Sequence, residues 1–89
     1  MALNEKSRRR FVAGMTKRIT ELRVKTEESL DVAIDTMFHE RVDSYLRVEQ
    51  GLGEVDRMLQ LIEADLEEVC EFSAAQRLDS RLEFIEDRF

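Results

Sequence analysis

The side chains in this sequence that most often bind metals or act as nucleophiles are a single histidine, His39, and a single cysteine, Cys70. Asp35 and His39 are spaced to share one face of a helix, so a dimer could bring two such pairs together. The ordinary interpretation of His39 is a partly exposed residue beside an apolar seam, and that of Cys70 is a small buried or half-buried apolar residue. Because metal and nucleophilic chemistry need several groups at one point, the sequence predicts no metal site, no cofactor and no enzyme.

Phosphate and acid-base chemistry are not indicated either. Gly51 and Gly53 lie close together, but they lack the basic residue and the preceding strand of a phosphate-binding loop. Carboxylate pairs such as Glu67 with Glu68 are typical of the solvated face of a charged helix. We therefore expect no small-molecule substrate.

A basic segment near the start of the chain is a candidate contact surface. Its members are Lys6, Arg8, Arg9, Arg10, Lys17 and Arg18. Such a segment fits the phosphate backbone of a nucleic acid, an anionic membrane surface or an acidic protein surface. We expect either protein docking or a solvated helical end that balances the acidic remainder of the chain in an antiparallel assembly. Nucleic-acid binding through residues 6–18 is the alternative, and a membrane partner is the least expected.

Charge is distributed unevenly along the sequence. The net charge is −6, yet residues 1–25 carry eight basic and two acidic side chains, whereas residues 26–89 carry six and eighteen. In a straight helical molecule this division makes a charge dipole, which favours antiparallel self-contact or a partner of opposite sign at each end. A second alternative function is a small inhibitor whose carboxylates imitate phosphate in a basic enzyme groove. These carboxylates are Glu63, Asp65, Glu67, Glu68, Glu83, Glu86 and Asp87.

The composition predicts which elements position these residues. The 89 residues are 43% hydrophobic and 38% charged, with three glycines and no proline or tryptophan. Residues that form turns between strands are scarce, which predicts an all-α fold in one small helical domain. No apolar run approaches the roughly 20 residues that a membrane-spanning helix needs. A single cysteine forms no internal disulfide, so we expect an intracellular protein, cytoplasmic or nuclear.

A heptad pattern is the most specific signal in the sequence. Its a positions are Phe38, Tyr45, Leu52, Leu59 and Leu66, and its d positions are Ile34, Arg41, Val48, Val55, Ile62 and Val69. A stripe of this kind is typical of a coiled coil or helical bundle, because a repeat near 3.5 keeps one face against a partner helix. Arg41 and Tyr45 interrupt the stripe with polar ends that could set the register. We predict a non-enzymatic assembly module, a coiled-coil subunit or adaptor that binds itself or another helical chain.

Two architectures remain open for the long heptad-bearing segment. Asn4 followed by Glu5 predicts a capped helix start. Gly51 and Gly53 could form a turn, but the heptad keeps its register across them. The chain therefore forms either a continuous helix from residue 4 to about residue 72, about 100 Å long, or a hairpin that closes at residues 50–53.

A short C-terminal helix is predicted after a capping box formed by Ser73 and Gln76. The expected segments are thus 1–25, basic, 26–72, acidic and heptad-bearing, and 73–89. The last segment has its own apolar stripe of Leu78, Leu82, Ile85 and Phe89.

A local resemblance supports this type of protein. The segment LDSRLEFIEDR at residues 78–88 resembles the terminal coiled-coil helix in the smallest subunit of the WAVE actin-regulatory complex. That resemblance implies a small all-helical chain that works inside an assembly. It is confined to this segment, and the N-terminal half departs from that family.

Overall fold

The computed structural model describes residues 1–37 and 41–89, which form three helices. Helix α1 spans Glu5–Met37, α2 spans Val42–Glu68 and α3 spans Phe72–Glu86. Within these residues β structure is limited to one isolated bridge between Ala2 and Glu71. The prediction of an all-α fold with a short C-terminal helix is confirmed.

Helix α1 begins where the sequence predicts. The Asn4 side-chain oxygen accepts a hydrogen bond from the backbone N–H of Ser7 at 2.7 Å, and Glu5 occupies the first turn. This side chain satisfies one of the amide groups that a helix start leaves without a partner. The α1 residues buried in the structure recur at helical spacing: Met15, Ile19, Leu22 and Ala33.

The predicted continuous helix is wrong, and so is the predicted turn at residues 50–53. The helical chain stops at Met37 and starts again at Val42, while Gly51 and Gly53 lie inside α2. No glycine has a positive φ, so neither one takes the left-handed conformation that a turn would use. Glycine inside a helix costs about 1 kcal/mol relative to alanine, which the packing of α2 along its length can offset. Phe38 and His39 lie outside the described residues.

The start of α3 is set by backbone pairing rather than by a capping box. The helix begins at Phe72, and its N-cap, Glu71, makes no side-chain capping bond, so the Ser73 capping box is wrong. Instead, the N–H of Phe72 donates to the carbonyl of Met1 at 2.9 Å, and the N–H of Leu3 donates to the carbonyl of Cys70 at 2.8 Å. Residues 1–3 thereby hold the extended α2–α3 connection. Cys70 is exposed in this connection, which corrects the prediction that it is buried or half-buried.

The helices pack as an up-down-up bundle. Near the start of α1, the Nε of Arg8 donates to the carbonyl of Val69 after the end of α2, at 2.7 Å, so α1 and α2 are antiparallel. Further along α1, Arg18 pairs with Glu86 at the end of α3, so α3 runs parallel to α1. The molecule measures 53 × 18 × 16 Å. At 1.5 Å per residue, α1 is about 50 Å long and α3 only about 22 Å.

This difference in helix length divides the molecule into two regions. We call residues 1–25 and 55–89, where three helices pack together, the body. We call residues 26–54, where α1 and α2 continue without α3, the arm. The body has one continuous apolar core, formed by Met15, Ile19, Leu22, Val55, Leu59, Ile62, Leu66, Val69, Ala75, Leu78, Leu82 and Ile85.

Candidate interaction surface

The arm buries far less of its apolar surface than the body. Among its described residues only Ala33 is buried. Its half-buried apolar residues are Leu30, Met37, Tyr45, Val48 and Leu52. Val32, Ile34, Val42 and Leu46 are exposed by 60%, 40%, 51% and 46%. Two helices bury only the stripe between them, so the arm keeps aliphatic surface in contact with water.

The end of α3 explains why the arm lacks a third layer. Phe89, three residues after α3, lines a shallow hollow with Lys25, Ser29 and Val32 at the border between body and arm. Phe89 is 44% exposed, unlike the other three members of the predicted C-terminal stripe, which are buried. No described residue of the chain continues this layer along the arm.

The arm also carries the whole net charge of the chain. Residues 26–54 contain two basic and eight acidic side chains, whereas the body contains twelve of each. The body is therefore neutral overall, and the arm has a net charge of −6. Exposed aliphatic groups among carboxylates favour a partner that is apolar and basic.

The predicted heptad seam is split between the two regions. Its C-terminal positions lie in the core of the chain's own bundle: Val55, Leu59, Ile62, Leu66 and Val69. In the arm, Tyr45, Val48 and Leu52 are half-buried, while Ile34 and Arg41 are exposed and Phe38 lies outside the described residues. The pKa of Tyr45 is raised, mainly by a hydrogen bond with the Glu49 carboxylate. The part of the seam that remains accessible is thus the part in the arm.

The predicted basic segment is divided between structural and solvated cations. Arg8 donates to the backbone carbonyls of Val69 and Glu67, Arg9 pairs with Glu5 at 3.1 Å, and Arg18 pairs with Asp79 and Glu86. The remaining members are exposed and make no ion pair with any residue in 1–37 or 41–89: Lys6, Arg10 and Lys17. Two members of the predicted patch, Arg8 and Arg18, therefore tie α1 to the rest of the bundle, whereas the pair of Arg9 with Glu5 lies within α1 and is exposed.

Arg18 is the centre of an ion-pair cluster that joins α1 to α3. Its Nε lies 3.1 Å from a carboxylate oxygen of Glu86, and a second nitrogen pairs with Asp79. The hydrogen bond from Arg18 holds the pKa of Glu86 below its usual value, and the same bond raises the pKa of Arg18.

A second ion-pair cluster joins α1 to α2. Arg23 pairs with Glu63 and with Asp56, and the hydrogen bond with Glu63 is the main cause that raises the pKa of Arg23. Arg23 was not among the predicted contact residues, although it lies in the basic N-terminal region.

The carboxylates that suggested an inhibitor are partly occupied by the fold. Glu63 and Glu86 bind the arginines of α1, and Asp65 binds Arg81 of α3 at 2.6 Å. The other members are exposed: Glu67, Glu68, Glu83 and Asp87.

Two grooves in the body also expose apolar side chains. One, of about 500 Å³, lies between α1 and α3 and is lined by Phe11, Met15 and Phe72, with Phe72 51% exposed. The other, of about 310 Å³, lies between α2 and α3 beside Leu61 and Phe84, each 60% exposed. The guanidinium of Arg88 lies 5.0 Å from the centre of the Phe84 ring, within the range of a cation–π contact. Phe72 and Phe84 were not among the predicted contact residues because both lie off the predicted stripes.

Other kinds of site find little support in the described chain. In residues 1–37 and 41–89, no cluster of three or more His, Cys, Asp or Glu side chains could hold a metal ion. None of the helices described is both long enough and apolar enough to cross a membrane. No family model, curated protein or solved structure matches the chain.

Proposed function

We propose that this chain is a non-enzymatic helical interaction module that docks an apolar, basic segment of a helical partner on its arm. One observation carries this proposal: the arm exposes Val32, Ile34, Val42 and Leu46 while burying only Ala33 among its described residues. Burying an aliphatic side chain completely contributes about 1.5–3 kcal/mol, and roughly half of that remains available at each of these positions. Val32 and Ile34 are two residues apart on α1, on either side of the buried Ala33, so they lie on different faces of the arm. A single partner helix laid along the arm would therefore cover one of them, together with exposed residues of α2.

The charge of the arm narrows the chemistry of the partner. With eight carboxylates and two basic side chains, residues 26–54 favour lysine or arginine at the edge of an apolar contact. Two arms placed against each other would bring together equal negative charges, which opposes an arm-to-arm dimer. A basic amphipathic helix satisfies both requirements, since its apolar stripe covers the aliphatic groups and its cations meet the carboxylates.

Site-specific photo-crosslinking in the source cells tests this proposal. A photoreactive phenylalanine analogue replaces Leu46 in the arm or, as the matched control, Gln60, which is exposed in the body. We expect one defined crosslinked partner from position 46 and none from position 60. Adding Ile34→Asp and Val42→Asp should remove the product while the helical content stays the same, because both side chains are exposed. Equal labelling from both positions, or a product that survives these substitutions, would contradict docking on the arm.

A further inference from the structure

Helix α1 carries an exposed stripe that the fold does not use. Its residues follow one another at intervals of three or four along the whole helix, so they share one face. All of them are exposed: Lys6, Arg10, Ala13, Lys17, Glu21, Val24, Glu28, Asp31 and Asp35. We call this row the outer stripe of α1.

Charge on the outer stripe is sorted by sign. The cations Lys6, Arg10 and Lys17 occupy its first half, and four carboxylates follow from Glu21 to Asp35. None of these seven groups forms an ion pair with a residue that the structure describes. Elsewhere on α1 the fold pairs its arginines with α2 and α3. The outer stripe is therefore a row of charges that no described residue pairs, on the same helix whose Arg18 and Arg23 bind α3 and α2.

Within one chain the stripe has repulsive pairs towards both of its ends, although Lys17 and Glu21 near its middle are opposite in charge. Lys6 and Arg10 are one helical turn apart, and so are Asp31 and Asp35. Like charges at this spacing destabilise a helix. A partner that brings the opposite sign to each end relieves both repulsions.

We infer that a second copy of this chain packs antiparallel along the outer stripe, about a two-fold axis near Thr20 and Glu21. In that register Lys6 of one copy faces Asp35 of the other, and Arg10 faces Asp31. Because the axis relates the two halves, both pairs form twice, and the contact runs along about 45 Å of helix. Ala13 leaves room for close approach, and the 49% exposed Val24 meets the alkyl part of Lys17.

A second copy fits the stripe better than other occupants do. A nucleic acid would engage the three cations but would meet the four carboxylates further along the same face. A basic helix would engage the carboxylates and meet the cations. An occupant that suits the whole stripe carries carboxylates opposite its cations and cations opposite its carboxylates. A second copy of the chain in antiparallel orientation has this arrangement. This contact goes beyond the proposed docking on the arm, because it uses neither Val42 nor Leu46.

Charge reversal at each end separately tests this dimer. Variant A carries Lys6→Glu and Arg10→Glu, and variant B carries Asp31→Lys and Asp35→Lys. Sedimentation equilibrium in low salt measures the dimer dissociation constant of each chain. We expect the wild type to dimerise, its dissociation constant to rise at least tenfold between 50 and 500 mM salt, and each variant alone to be monomeric at concentrations where the wild type is a dimer. An equimolar mixture of A and B should dimerise, because every pair is again of opposite sign.

A matched control separates pairing from net charge. Arg57→Glu with Arg77→Glu changes the net charge as variant A does, at exposed positions outside the stripe. We expect this control to dimerise within threefold of the wild type. Far-ultraviolet circular dichroism should show equal helicity for all chains, since every substituted side chain is exposed.

Three results would overturn the inference. The first is a wild type that stays monomeric in low salt at millimolar concentration. The second is a mixture of A and B that stays monomeric, and the third is a wild-type level of dimer in both variants. A monomeric wild type that binds duplex DNA through Lys6 and Arg10 would assign the stripe to nucleic acid instead. Each result is independent of crosslinking at Leu46, so failure of the dimer and failure of arm docking are distinguishable.

Discussion

The body and the arm are built from the same two helices, yet only the body has a continuous core. In the body, α3 covers α1 and α2, and twelve apolar residues are buried together. In the arm both helices continue and α2 keeps the heptad spacing, yet Ala33 is the one buried residue among those described. The difference follows from the 15-residue length of α3, and Arg41 and Tyr45, which interrupt the seam, also lie in the arm. A heptad pattern thus indicates a helical partner but does not tell whether that partner is in the same chain.

The body and the arm also differ in how their charged side chains are balanced. In the body the basic first half of α1 lies beside acidic parts of α2 and α3, and the two clusters around Arg18 and Arg23 pair some of these charges. The charged side chains of the arm are eight carboxylates and two arginines. Charges of opposite sign therefore balance within the body, whereas the arm keeps the net charge of −6. An external partner of positive charge could balance it.

The largest expected effect is a charge in the core of the body. Leu59→Asp combined with Ile62→Asp buries two carboxylates at positions that are each 1% exposed. Each unpaired charge costs several kcal/mol, and together they approach the 5–15 kcal/mol that typically stabilises a whole domain. Circular dichroism and size-exclusion chromatography should show an unfolded or aggregated chain. The control, Leu46→Asp with Leu61→Asp at exposed positions, should keep its helicity.

A matched pair of leucines measures the difference between the regions directly. Leu59 and Leu52 occupy the same heptad position one repeat apart, but Leu59 is buried in the body and Leu52 is half-buried in the arm. Leu59→Ala should lower the free energy of unfolding by about 3 kcal/mol, and Leu52→Ala by about 1 kcal/mol because less surface is lost. Urea unfolding checks both values. Equal losses would mean that the arm is as well packed as the body.

Glycine replacement gives a smaller effect of opposite sign. Gly51 and Gly53 are helical in the arm, and an added Cβ at either one meets no atom within 4 Å. Gly51→Ala and Gly53→Ala should each stabilise α2 by about 0.8–1 kcal/mol. Gly14→Ala in the body has the same open surroundings and is the control. Amide hydrogen exchange should slow in the arm for the first two variants and in α1 for the third. A loss of helicity at residues 51–53 would contradict their helical assignment.

Local signals in the sequence predicted most of the fold. The all-α class follows from the composition, and the start of α1 follows from Asn4, because both depend on short-range physics. Three of the four residues predicted for the C-terminal stripe are buried, and the exception, Phe89, lies after the end of α3. Leu59 and Ile62 were placed on the apolar seam for the same reason, since helical periodicity is visible in one dimension.

The features that the sequence analysis missed depend on contacts between distant residues. The N-terminal residues Met1 and Leu3 pair with the α2–α3 connection, which starts α3 at Phe72 instead of at the Ser73 capping box. Arg8 and Arg18 looked like members of a contact patch, but the fold uses them to bind α2 and α3. Nothing in the local pattern distinguishes them from Lys6 or Arg10, because that difference arises only when the helices are brought together.

The smallest expected effect is the pH dependence that Glu86 gives to the body. Because Arg18 lowers the pKa of Glu86 in the folded chain, this carboxylate stabilises the fold above its unfolded pKa of about 4.3, and the contribution is lost as the pH falls through the lower folded value. The ion pair is partly exposed to solvent, so Glu86→Gln should cost at most about 1 kcal/mol at pH 7 and almost nothing at pH 2. Urea unfolding at pH 7, 4 and 2 measures this difference, and 0.5 M salt should reduce it at pH 7. A difference that stays constant across pH would mean that Glu86 contributes by packing and that its ion pair with Arg18 does not hold α3 against α1.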